Sequence, residues 1–293
     1  MLKRIAGATA LGLLAASPLP ALAADVMAPE PPAFSASLEG WGGAHLLGGP
    51  SGNIDPDDTA FFAAGIDARL RMDIGSAIAI QLDASGDRAF GGEDSNDTYE
   101  KSGIGGIHLS TYNDAYLLGV FGGYGRVVVD DEKANVGVVG VEGQMYFDQT
   151  TLYLQAGYMD AVEINGTKDD PFHNAFFVRG VSRYFLSEQT RLQGELSAAF
   201  GKQDSNDRNM MALGWGLRAD HQYTESLSVF AGYKGAYYDN GSGSDSGHFT
   251  EHLMNVGVTL RLNQPTLLAA DRHGPTLDLP SVTHWAGGGQ SID

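Results

Sequence analysis

The chain contains no cysteine, which excludes a disulfide framework and a thiol-linked lipid anchor. Burial and backbone pairing alone must hold the fold. Basic residues are scarce, with 18 Lys and Arg against 36 Asp and Glu, and such a surface repels nucleic acid, itself a polyanion. Past the first 23 residues no apolar run approaches the roughly 20 residues of a spanning helix. Any membrane crossing would have to use strands. Glycine is plentiful, at 40 residues, but follows no collagen-like period, and a hydrophobic content of 43% excludes disorder.

What is present begins with a leader. Lys3 and Arg4 precede the apolar stretch IAGATALGLLAASPLPALA, which ends on Ala21, Leu22 and Ala23. A charged start, an apolar middle and a small-residue exit are the pattern of a secretory signal, here cut near Ala23. Residues 24–33 then form a short periplasmic lead. Without Lys3 and Arg4, 16 basic side chains face 36 acidic ones, a net charge of about −20.

From Phe34 to Leu262 apolar and polar residues alternate with a period of two, the pattern of strands with one oily and one wet face. Phe62, Ala64, Ile66, Ala68, Leu70 and Met72 share one parity; Asp67, Arg69, Arg71 and Asp73 share the other. Twelve segments follow this rule, at about 34–47, 60–73, 77–87, 101–112, 115–126, 134–147, 151–159, 174–185, 190–201, 210–222, 227–238 and 249–262. Their connections alternate between short turns and long loops rich in Asp, Asn, Gly and Ser. The expected fold is all-β: a twelve-stranded antiparallel transmembrane β-barrel with short periplasmic turns and long extracellular loops.

The figure YFDQTTLYLQAGY, from Tyr146, returns as YFLSEQTRLQGEL from Tyr184 and QYTESLSVFAGY from Gln222. Each places an aromatic residue before a short turn. Tyr112, Phe147, Phe185 and Tyr223 are therefore expected to form an aromatic girdle at one membrane interface. Phe62, Tyr158, Phe176, Phe200 and Tyr237 would form the second. With leader, alternating strands, girdles and loop asymmetry together, residues 34–262 resemble the Gram-negative outer-membrane β-barrel or porin class. The resemblance implies outer-membrane residence, contact with lipid and lipopolysaccharide, and passage of small solutes, or else a structural or surface-interaction barrel without an open pore. One departure is that Leu262, rather than an aromatic residue, closes the last strand. A soluble sandwich or calyx also alternates, but twelve strands would enclose a large interior that the many Gly and Ala of the oily parity could not fill.

Motifs for chemistry are weak. His248, Glu251 and His252 match H-x-x-E-H, yet they fall on an alternating strand where four positions span about 13 Å. The two histidines cannot share an ion there. His108 and Ser110 share the wet parity and read as lumen lining. The glycine runs GIGG and GGYG precede no helix, so they read as curvature in a barrel wall rather than as nucleotide loops. The repeated DSND, at 94–97 and 204–207, offers oxygen ligands without a full set. No metal, cofactor or enzymatic activity is expected.

The wet parity sends Arg69, Arg71, Arg179, Arg183, Arg191, Arg218, Lys234 and Arg261 into the lumen, with the acids Glu39, Asp67, Asp83, Glu142, Glu195, Asp220 and Glu251. Arg71, Arg183, Arg191, Arg218 and Arg261 lie near short turns, at one level by the inner mouth. Two readings follow. Either the arginines pair with the inward acids and fill the barrel, or unpaired guanidinium groups form an electropositive constriction for small anions beneath an acidic outer rim. Residues 263–293, with Pro265, Pro275 and Pro280 and a GGG run, are expected to be an irregular periplasmic tail: a lumen plug, a contact for periplasmic partners, or a tether.

Overall fold

The computed structural model describes residues 34–48, 60–75, 77–90, 99–129, 132–163, 172–203, 208–239 and 248–290. The leader, the 24–33 lead, the tips of the long loops with their acidic residues, and both DSND motifs lie outside the described residues. Twelve strands run in order: β1 (Phe34–Gly48), β2 (Ala60–Ile74), β3 (Ile78–Phe90), β4 (Tyr99–Tyr112), β5 (Tyr116–Val129), β6 (Glu132–Tyr146), β7 (Thr150–Glu163), β8 (His173–Ser187), β9 (Thr190–Gln203), β10 (Arg208–Gln222), β11 (Leu227–Asp239) and β12 (His248–Leu262). Each pairs antiparallel with its neighbours, and β12 returns to β1, for example Leu38 with Leu260, so the sheet is a closed barrel. Closure leaves no unpaired edge, so the backbone can be satisfied without water.

Alternation sets the two faces. Ile66, Leu82, Ile107, Val120, Val141, Leu154, Val178, Leu196, Leu217 and Val256 all stand exposed on the outside, where a water-soluble protein would show polar side chains. The inside carries the polar parity. Phe147 and Tyr223 face outward beside the short turns, 53% and 68% exposed. Two girdle expectations are corrected. Phe185 is 1% exposed and points inward, because it shares the parity of buried Arg183; Tyr184, beside it, faces out. Tyr112 shares the inward parity of His108 and Ser110, and it lies beneath the Arg71 guanidinium, 4.5 Å from its ring centre. At the other end Phe62, Phe176 and Phe200 are exposed outward, and Tyr158 packs edge-on against Phe176 and donates to Asn174 Oδ1 at 2.6 Å. Tyr237 lies 5.9 Å, ring to ring, from outward-facing His248.

The expectation of an irregular periplasmic tail is corrected in part: the tail is folded rather than irregular, and of the roles named for it the structure shows the lumen plug, inside the barrel. After β12 the chain reverses at Asn263, whose φ of 61° is the left-handed conformation Asn tolerates, while its amide donates to Phe34 O at 2.9 Å. Helix α1 (Leu267–His273) follows, capped by Thr266, whose hydroxyl accepts from Ala269 N at 3.0 Å. An extended segment leads to helix α2 (Val282–Gln290). The physical reason is burial. Leu267, Leu277, Val282, Trp285 and Ala286 are all at most 3% exposed, and the lumen is the apolar shelter within reach.

Candidate functional site

The lumen is built in three layers by the meeting of wall and tail. At the short-turn mouth lies α1. Leu268 N donates to Glu188 O of the β8–β9 turn at 3.2 Å, and Arg272 donates to Phe147 O of the β6–β7 turn. Gln222 donates to Pro265 O at 3.0 Å, so the helix is tied to turns on both sides.

Above it is a charged layer. Arg183 donates to Asp271 Oδ1 at 2.9 Å and to Thr276 O at 3.0 Å, while Thr151 donates to the other oxygen of Asp271. Arg179 donates to both oxygens of Asp278, at 3.0 and 2.8 Å, and to both of Glu195, at 2.7 and 2.8 Å. Such bidentate charge-assisted bonds are the strong class. Burial alone would raise the Asp278 carboxyl; Arg179, with Arg69 and Arg183, outweighs it and holds the group well below the ordinary carboxylate range. The tail backbone is met by wall side chains too: Gln81 exchanges hydrogen bonds with Leu277 N and O at 3.3 and 2.7 Å, and Gln155 donates to Asp278 O at 2.8 Å.

At the inner mouth Arg71, Arg183, Arg191 and Arg218 all meet carboxylates, so the reading of free guanidinium groups is corrected for these four, while Arg261 meets a hydroxyl. Arg71 pairs with Asp73 at 2.9 Å, and Arg191 with Asp220 at 3.0 Å. Arg218 reaches Glu39 at 2.7 Å and Asp220 at 2.9 Å, and Arg261 donates to Ser228. Arg69, in register with Asp83, and Lys234 line a residual cavity of ≈ 210 Å³ between wall and tail. Seven Arg and Lys and seven Asp and Glu border it. The layer is therefore close to neutral, with two of the seven carboxylates, Asp271 and Asp278, supplied by the tail. His108 is fully buried between Asp83, at 3.2 Å, and Glu142, at 2.7 Å. Glu142 also accepts from Tyr153 at 2.7 Å, which places it in the polar network rather than at an open surface.

The third layer, toward the long loops, is apolar. Trp285 and Val282 of α2 join one core with Phe121, Val136, Phe177, Tyr238 and Phe249 from the wall. Room for it comes from the glycine runs: a Cβ on Gly106 would lie 2.7 Å from Leu279, and one on Gly123 would lie 3.1 Å from it. The sequence reading of these glycines as wall curvature missed their use as a bed for the tail. It also missed Asp271, Thr276 and Asp278. A signal was available in the leucines and tryptophan of the tail. On β12, His248 and His252 face outward and Glu251 inward, so the H-x-x-E-H residues do not converge. Among the described residues no group of His, Asp and Glu is arranged to hold a metal.

A closed twelve-stranded barrel, apolar outside and polar within, has the architecture of outer-membrane barrels. One solved structure agrees on fold. The COG4313 outer membrane channel from Pseudomonas putida F1 matches with a TM-score of 0.55 at 8% identity, over 82% of this chain and 100% of that one. Looser matches include the Pseudomonas putida toluene transporter TodX (TM-score 0.44, 8% identity, 80% and 90% covered) and the KdgM porin in complex with disordered oligogalacturonate (0.42, 8%, 76% and 98%). No protein-family model and no curated protein sequence matches the chain.

Proposed function

We propose that the protein is an outer-membrane channel for small solutes, delivered by its N-terminal signal and shut in this conformation by its own tail. The apolar exterior and the channel-type fold support the membrane placement, with short turns in the periplasm and long loops outside. The observation that carries the gate is Asp278, a tail carboxylate seated in the Arg179 clamp. With the tail withdrawn, Arg179 and Arg183 would each lose one carboxylate partner and offer donors to the lumen, so small carboxylate solutes are the favoured cargo.

A barrel that never opens is the second reading, favoured by the apolar core around Trp285. Proteoliposomes carrying the Asp278→Asn protein separate the two. The channel reading expects a small carboxylate to permeate faster than an uncharged solute of equal size, with the advantage lost when Arg179 and Arg183 become Gln. Impermeability of every variant, including one lacking residues 264–293, establishes the closed structural barrel instead.

A further inference from the structure

The extended segment between α1 and α2 is met by the wall through its main chain. The carbonyls of Gly274, Thr276, Leu277 and Asp278 accept from Arg71 at 3.3 Å, Arg183 at 3.0 Å, Gln81 at 2.7 Å and Gln155 at 2.8 Å. Gln81 also accepts from Leu277 N at 3.3 Å, so one side-chain amide pairs with both backbone groups of a residue, as a neighbouring strand would. Every residue carries that carbonyl and all but proline the N–H. These contacts therefore read peptide backbone rather than a particular sequence.

Two side chains of the segment are read as well. Leu277 is buried among Leu117, Tyr153 and Val181, and Asp278 fills the Arg179 fork at 3.0 and 2.8 Å.

The wall aims its reading groups by its own contacts. Each glutamine amide turns one N–H to the tail and the other to a wall carboxylate: Gln81 donates to Asp83 at 2.6 Å, and Gln155 to Glu142 at 3.3 Å. Gln155 also accepts from Arg179 at 2.8 Å. Buried His108 bridges the two carboxylates, at 3.2 Å from Asp83 and 2.7 Å from Glu142. All six of these residues belong to strands, so the site is preorganised and persists when the tail leaves.

We propose that this lumen site takes short acidic peptides, and that residues 276–279, Thr-Leu-Asp-Leu, occupy it as a built-in stand-in for that cargo. The site rests on the channel reading and narrows its carboxylate solutes to those carried on a peptide, with an apolar residue just before the acid. Main-chain hydrogen bonds give such a site its affinity, and the pockets for side chains give its selectivity. A lone carboxylate would engage the Arg179 fork and leave Gln81 and the leucine pocket unused.

The test uses the full chain with Asp278→Asn in detergent, which loosens the tail and leaves every wall group in place. Cleavage after Arg272 by added trypsin reports tail release, and trypsin does not act on the probes. The probes are acetyl-Thr-Leu-Asp-Leu-amide, the same peptide with Asn in place of Asp, and N-acetylaspartate amide, which has the carboxylate without the chain. The Asp peptide should accelerate cleavage saturably, at a concentration at least tenfold below that required of either other probe. Adding Gln81→Met should shrink its margin over N-acetylaspartate amide at least threefold; any looser docking of the tail itself cancels in that ratio. Equal potency of the Asp peptide and N-acetylaspartate amide overturns the proposal and leaves a simple carboxylate site, with the channel reading intact. Equal potency of the Asp and Asn peptides, no effect of the Asp peptide, or a margin untouched by Gln81→Met also overturns it. Permeation into proteoliposomes judges the channel reading separately.

Discussion

Arg179 on β8 is held between two carboxylates, Glu195 on the neighbouring strand and Asp278 in the tail, with all four contacts between 2.7 and 3.0 Å. The wall supplies one partner permanently, and the tail supplies the other only while docked. Losing the second is therefore tolerable for the barrel, since Arg179 keeps Glu195. The arrangement is suited to reversible closure.

Asp278→Asn keeps the shape of the side chain and removes its charge. A hydrogen bond to a charged group contributes about 1.5–3 kcal/mol, so the fraction of molecules with the tail undocked should rise about 10- to 150-fold. Single-channel open probability reads this directly. An open probability equal to wild type would show that the clamp does not hold the gate.

Leu277 is buried among Leu117, Tyr153 and Val181, all of them wall residues. Leu277→Ala should weaken docking by about 2–5 kcal/mol without touching strand pairing. Protease cleavage within residues 264–293 should accelerate, while the mobility difference between boiled and unboiled barrel on a gel stays as in wild type. Loss of that difference would mean that the tail is needed to build the barrel.

The tail's two histidines should give docking opposite slopes with pH. Burial disfavours charged His284, but Asp87 and Glu251, each 3.5 Å away, outweigh burial and the nearby Lys234 and raise its pKa above the ordinary value of about 6.5. Its contribution is then complete below about pH 6.5 and is lost as pH rises through the docked value. Burial, then Arg71 and Arg272, lower the pKa of His273 despite Asp114 and Asp73, so its contribution is present above about pH 6.5 and is lost as pH falls. In His273→Asn, tail cleavage should speed up with rising pH; in His284→Asn, it should speed up with falling pH. Parallel profiles for the two variants would contradict the assignment.

Much of this architecture was legible because a strand's period of two leaves few alternatives: the alternation from Phe34 to Leu262 gave strand number, faces and turn positions. Parity also placed Arg179, Arg183 and Arg218 inside. It was applied inconsistently at Phe185, where turn proximity suggested a girdle while shared parity with Arg183 demanded the lumen. Pairing was only half legible, because cross-strand partners such as Arg191 and Asp220 depend on register, which alternation does not fix. The tail escaped for a different reason. Its helices are 7 and 9 residues long, too short to be stable without tertiary packing, so their fold is decided by the lumen they enter. The stretch from Val136 to Val141 gave a hint, being apolar on both parities where Val136 and Val138 meet the tail's core.

The central claim is that residues 264–293 close the lumen, and paired conductance measurements in planar bilayers test it most directly. The full chain should be silent or open only briefly, whereas the chain ending at Asn263 should conduct steadily, with anions preferred and that preference removed by Arg179→Gln with Arg183→Gln. A truncated barrel that shows the gel signature of a folded barrel yet passes no current would contradict the claim, as would a full chain that conducts as steadily as the truncated one.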